Sequence, residues 1–149
     1  MAGQPSSVKR MGFDCGTHPQ RVGSRLGPSS IREQSLLLRA FVSVNGINPL
    51  AALGVVDVGD AKVSPGDLET SSIAIEAAVG AIAQTRAVAV TLGGDGAIAL
   101  PEMRALHRVY PDLVTIHIDA HTDAYPIEGY NTATAFGRAA EEGLVDATR

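Results

Sequence analysis

Asp119, His121 and Asp123 stand at every second position immediately after the apolar run Leu113-Val114-Thr115-Ile116-His117-Ile118. In extended backbone, alternate side chains share a face, so two carboxylates and the imidazole between them can converge on one point. One nitrogen and up to four oxygens suit manganese, magnesium or zinc rather than copper or an iron–sulfur centre, and the imidazole favours manganese or zinc. A second cation sharing Asp119 as a bridge would turn a water between the ions into a nucleophile near neutral pH, which is the two-metal route to hydrolysis. Three side chains do not complete two coordination shells. The plainer alternative has Asp119 capping a turn, His121 packed on a rim and Asp123 solvated. His117 keeps the same period but lies deeper in the expected strand, where it reads as a hydrogen-bonded core histidine.

Other residues invite other chemistry. Gly94-Asp95-Gly96-Ala97-Ile98-Ala99 fits G-x-G-x-x-A between an expected strand and helix, the pattern of a dinucleotide-binding domain, and Asp119 ends the next strand where a ribose-binding carboxylate belongs. Against it, Pro101 falls in the first turns of the helix, and His121 and Asp123 would have no role. Cys15 is the sole cysteine and brings no disulfide, no zinc pattern and no assignable base. Arg21, Arg25 and Arg32 either line an anion site or pair with Asp14 and Glu33. Asn131 and Thr132, in Asn131-Thr132-Ala133-Thr134, are candidate substrate-binding residues in a loop just past the metal motif. No residue is assigned as catalytic.

The elements that must position these groups alternate. Residues 1–10 are polar and expected to be flexible, and Gly27-Pro28 opens a helix running to about Val44. Strand-like Leu53 to Val58, helical Asp67 to Thr85, strand-like Ala87 to Leu92, helical Ile98 to Val109 and strand-like Leu113 to Asp119 then follow, with a last helix from Ala135 to Gly143. This βαβαβ order favours an α/β fold with a parallel sheet covered on both faces. Open sheets of that kind bind ligands beyond the carboxyl ends of their strands, so the turn at Gly93–Gly96 and the motif at Asp119–Asp123 should open onto one rim. Three strands leave an apolar edge waiting for a neighbour, which reads as a fragment or an obligate oligomer.

Composition narrows the classes. With 45% hydrophobic residues in 149, the chain can bury a core; its net charge of −4 and scattered basic residues give no footprint for nucleic acid. No apolar run is long enough to span a membrane, and Met1-Ala2-Gly3-Gln4-Pro5 lacks the apolar core of a signal peptide, so the chain reads as cytoplasmic.

At Gly93-Gly94-Asp95, His117 and Asp119-Ala120-His121-Thr122-Asp123 the chain resembles the ureohydrolase (arginase and agmatinase) family. The resemblance extends to Phe13-Asp14, Gly16-Thr17, Arg21, Gly23, Arg25, Gly27-Pro28 and Ile31-Arg32, to Asp57-Val58-Gly59-Asp60 and Pro65-Gly66-Asp67, and to Phe136 and Ala140–Leu144. It implies a three-layer αβα sandwich with a mainly parallel sheet, apparently truncated, of which residues 1–149 are the N-terminal part of a single domain. It also implies a homo-oligomer and a binuclear manganese centre that hydrolyses a guanidino compound, agmatine-like, to urea and an amine. Asp119 would bridge the ions, His121 bind one and Asp123 the other. The chain departs from the family pattern in three places. Gly96 stands where a histidine ligand normally follows the Gly-Gly-Asp, the family's second aspartate pair would fall beyond Arg149, and Thr132 replaces the agmatinase-type loop histidine. These departures lead us to expect that the chain alone is inactive, with a pseudoenzyme or truncated metal-binding interaction subunit as the alternative.

Overall fold

The computed structural model describes residues 6–11, 23–38, 46–64 and 66–146. Three parallel strands form its sheet: β1 (Ser6–Met11), β2 (Val56–Asp60) and β3 (Val88–Gly93), in the order β2-β1-β3. β1 pairs with β3 without interruption from Ser6 opposite Val88 to Met11 opposite Gly93. Against β2 its register starts at Ser7 opposite Val56 and shifts between Val8 and Arg10.

The central strand is thus a segment expected to be flexible. Ser-Ser-Val-Lys-Arg-Met carries little apolar signal. A strand flanked on both edges is held by its ladders, whose donors and acceptors every residue supplies whatever its side chain. Residues 1–5 lie outside the described residues, as do Cys15, Asp14 and Arg21.

The helices follow local rules more closely. α1 (Gly27–Ser35) opens on Pro28, and its expected continuation falls partly on residues 39–45, outside the described set. α2 (Pro49–Ala52) is a single turn that the Asn-Pro pair builds itself: the Asn48 side chain accepts from the Ala51 N–H and Pro49 presets the first turn. α3 (Leu68–Gln84) starts on Asp67, whose carboxylate accepts from the Thr70 N–H. α4 (Ala99–His107) follows a 3₁₀ turn at Gly96–Ile98, so Pro101 sits in its first turn, where no N–H partner is lost. α5 (Ala135–Glu141) follows another 3₁₀ turn at Thr132–Thr134.

The core lies between α3, α4 and the sheet. Ile75 and Val79 of α3 are fully enclosed with Ala97 and Ala105. Leu100 and Met103 pack on Ala135 and Ala139, joining α4 to α5, and a two-pronged Arg104–Glu142 pair closes the outer side of that junction at 2.7 and 2.5 Å.

One expected strand is missing from the sheet. Leu113 to Ile118 takes no regular secondary structure and no ladder partner among the described residues. Val114, Ile116 and Ile118 are 84%, 84% and 92% exposed. The β-branched composition is that of a strand, but a strand exists only where a neighbour offers a matching edge, and none of the described residues does so. Arg32, considered for an anion site, instead forks onto Asp60 at 3.0 and 3.3 Å and approaches Asp57 at 3.6 Å, tying α1 to β2. No helix among the described residues is long and apolar enough to cross a membrane.

Candidate metal site

Two turns come together at the carboxyl end of β3. The first is Gly93–Gly96. A Cβ on Gly94 would lie 1.8 Å from the Ser24 carbonyl oxygen, and one on Gly93 2.1 Å from Ile98 Cδ1, so the glycines are what let this turn pack. Asp95 begins the 3₁₀ turn, its Oδ1 accepting from the Ala97 N–H at 3.0 Å.

The second is the turn at 119–124. Asp119 Oδ1 accepts from the His121 backbone N–H at 2.8 Å and lies 3.1 Å from His121 Nδ1. The backbone N–H first, then the imidazole, hold the exposed Asp119 carboxyl below the usual carboxylate range. Asp123 is buried and adopts a left-handed backbone, φ 50°, a conformation that costs most side chains about 1 kcal/mol and Asp less. Its carbonyl is anchored by the first N–H groups of α5, accepting from Phe136 at 2.9 Å and Gly137 at 3.4 Å. That anchoring turns the chain inward and aims the Asp123 carboxylate at His117, whose Nε2 is 3.7 Å from Asp123 Oδ2. The His117 ring stacks on Phe136, centroids 3.9 Å apart.

One donor atom from each of His117, Asp119 and Asp123 lies within 4.8 Å of the others, so these three could hold one metal ion. They line an open hollow with Gly93–Gly96, Glu102 and Phe136, which places both turns on one rim. Among the described residues this is a partial, non-binuclear cluster: one imidazole nitrogen and two carboxylates fit a single cation. The sequence expectation of Asp119, His121 and Asp123 shares two members with this group. His121 turns its ring outward onto Asp119, with 67% of its side chain exposed, while His117 reaches the cluster from the preceding segment. The period-two run 117, 119, 121, 123 carried that signal, and assuming that Leu113–Ile118 lay buried within a sheet obscured it.

Glu102 is the residue that sequence reasoning missed. It stands on α4 between the buried Pro101 and Met103, faces the same hollow, and its Oε1 is shielded from solvent with no hydrogen-bond partner. Burial pushes its carboxyl up to about 7, opposed in part by the Thr91 hydroxyl. A single glutamate in a mixed helix reads as solvent-facing, and nothing in the sequence distinguishes this one.

Asn131 and Thr132 are both engaged within the protein. The Asn131 side chain accepts from the Ala133 N–H at 2.8 Å while its own N–H donates to Thr134 Oγ1 at 3.0 Å, a capping box. The Thr132 hydroxyl donates to Asp95 Oδ1 at 2.5 Å, and the Tyr130 hydroxyl donates to the Ala97 carbonyl.

The chain is similar to known proteins. The chain is 38% identical to guanidinopropionase of Pseudomonas aeruginosa over 141 residues, 92% of this chain and 44% of that one. It is 36% identical to the mitochondrial guanidino acid hydrolase of Homo sapiens over 141 residues, 92% of this chain and 40% of the human one. The crystal structure of a hypothetical agmatinase from Burkholderia thailandensis superposes with a TM-score of 0.85 at 33% identity, covering 97% of this chain and 46% of that one. The chain therefore spans less than half the length of these relatives. A mitochondrial relative overturns the expectation of a cytoplasmic protein. The physical reason is that organelle-targeting segments are amphipathic and arginine-rich, so the lack of an apolar stretch near Met1 does not separate cytoplasm from organelle. The sequence pattern of the arginase family matches residues 7–149, and with the superposition on an α/β relative this establishes that the chain belongs to the arginase family and has its α/β fold.

Proposed function

We propose that these 149 residues carry part of a ureohydrolase-type centre, one that hydrolyses a guanidino compound such as agmatine to urea and an amine with manganese. The observation that carries this is the convergence of His117, Asp119 and Asp123 on one point at the rim, in a member of the arginase family. A divalent cation bound there supplies Lewis-acid character and lowers the pKa of water toward neutrality. The chain's own residues do the holding. Asp123 is fixed by the α5 backbone, His117 is oriented by its stack on Phe136, and Asp119 stands between them and His121. Asp119 and His121 together offer two donors toward a second cation position, fewer than a stable site needs. In this reading residues 1–149 are the N-terminal part of one domain, a three-layer αβα sandwich with a mainly parallel sheet, and the protein is a homo-oligomer.

With three donors to one ion and two to another, the 149 residues alone are inactive. Titration of the metal-free chain with manganese by calorimetry should give one ion per chain, and incubation with agmatine, guanidinobutyrate or guanidinopropionate should release no urea. Urea release by the chain alone would defeat the incomplete-centre reading; absence of any manganese binding would defeat the metal site. A second reading, a metal-binding pseudoenzyme, is favoured by Gly96, which contributes no donor to the hollow it lines. Chain extended with the downstream half of a ureohydrolase separates the two: restored urea release supports the enzyme, continued silence with manganese bound supports the pseudoenzyme.

A further inference from the structure

Gly96 and Thr132 come from different turns and touch. A Cβ built on Gly96 would lie 2.8 Å from Thr132 Cγ2, closer than real Cβ atoms come to a neighbour, with Thr132 Oγ1 and Cβ at 3.7 and 3.8 Å. Thr132 is not free to swing aside. Its hydroxyl donates to Asp95 Oδ1 at 2.5 Å, the oxygen that also accepts from the Ala97 N–H. One residue pair further along, the Tyr130 hydroxyl donates to the Ala97 carbonyl, so the 129–134 segment is fastened to the 95–97 segment on both sides of Gly96. The capping box of Asn131 and Thr134 then fixes the backbone that carries Thr132. Gly96 itself lines the hollow that holds His117, Asp119 and Asp123. Residue 96 is therefore a rim position on the same hollow as the three donors, and Thr132 occupies the space that a Cβ there would enter.

We propose that Thr132 is a determinant of the metal site's composition: the Gly96–Thr132 pair, rather than Gly96 alone, holds the donor set at three. The inference rests on the reading of His117, Asp119 and Asp123 as a cation site. It makes the two residues one coupled feature, so that changing either alone gains nothing. Thr132→Ala keeps the Cβ, which stands at ordinary contact distance, and removes both the methyl that clashes and the hydroxyl that fastens Thr132 to Asp95.

A four-protein cycle tests this on the full chain: wild type, Gly96→His, Thr132→Ala, and the two combined. Metal-free melting temperatures read the contact, and manganese titration reads the donor set. Gly96→His alone should melt roughly 3–8 °C lower, since it overpacks a fastened contact, and bind manganese no more tightly than wild type. Thr132→Ala alone should leave manganese affinity within about twofold, because Thr132 is not a donor to the cluster. The combined variant should regain most of the lost melting temperature and bind manganese at least about tenfold more tightly than either single variant. Gly96→His matching the combined variant in affinity, or melting like wild type, would overturn the proposal. The melting temperatures are independent of the metal, so a cycle that couples there while none of the four proteins binds manganese refutes the cation-site reading and not the contact.

Discussion

Glu102 gives the sharpest quantitative test of how this hollow is built. Its carboxyl rises from 4.5 to about 7 because burial penalises the charged form and one oxygen has no partner, the Thr91 hydroxyl offsetting only part of that. A folded-state value above the unfolded one means that the native protein binds more protons between those two pH values. Stability contributed by the neutral acid is therefore fully present below about pH 4.5 and lost as pH rises through 7. The difference corresponds to about 3 kcal/mol, or roughly 6–12 °C in melting temperature for a chain of this size. Glu102→Gln keeps the shape and stays neutral throughout. Melting curves of the two proteins, recorded in chelator from pH 5 to 8, should start within about 2 °C of each other at pH 5, where the variant's unpartnered amide offsets the small loss that Glu102 has already incurred. The variant should then pull ahead by roughly 6–12 °C at pH 8. Carboxylates held below their usual range, such as Glu142 beside Arg104, lose their contribution as pH falls, but they do so in both proteins and cancel in the difference. A difference that stays constant across this window would refute the argument that Glu102 is buried and uncharged.

Three other outcomes follow from particular contacts. Asp123→Asn should weaken manganese binding by at least about tenfold, read by calorimetry, because an amide replaces the one buried carboxylate of the cluster; Asp123→Gly should weaken it equally, although glycine relieves the left-handed backbone at 123. Gly94→Ala should destabilise the chain by about 3 kcal/mol or more in chemical denaturation, since the new methyl meets the Ser24 carbonyl oxygen and a backbone atom cannot step aside as a side chain can. The exposed run of Val114, Ile116 and Ile118 should make the chain self-associate at micromolar concentration in light scattering, and Ile116→Lys with Ile118→Lys should reduce that association; a double variant that associates as before would move the sticky surface elsewhere.

What could be read from the sequence is whatever is decided locally. The cap at Asp67, Pro28 at the start of α1 and the apolar stripe of α3 are each fixed by a few neighbouring residues, and the helices begin where those signals say. The strands divide differently. β3 announces itself by composition, whereas β1 is held by pairing on both edges and carries almost no apolar signal of its own. Leu113 to Ile118 is the converse: its composition is that of a strand, yet it lacks an edge to join among the described residues. Pairing is a property of two segments at once, and one-dimensional periodicity reports only one of them. The metal site shows the same division. The alternation through 117, 119, 121 and 123 marks the candidate donors, but which of the two histidines turns inward depends on Asp123 being drawn into a left-handed turn by α5, a contact between residues thirteen positions apart. The Gly96–Thr132 contact lies still further from view. Two separate departures from the family pattern look independent along the chain, and only their distance in space, with Thr132 fastened to Asp95, makes them one feature. A side chain restored at 96 must therefore be judged with its neighbour at 132 and not by its own chemistry alone.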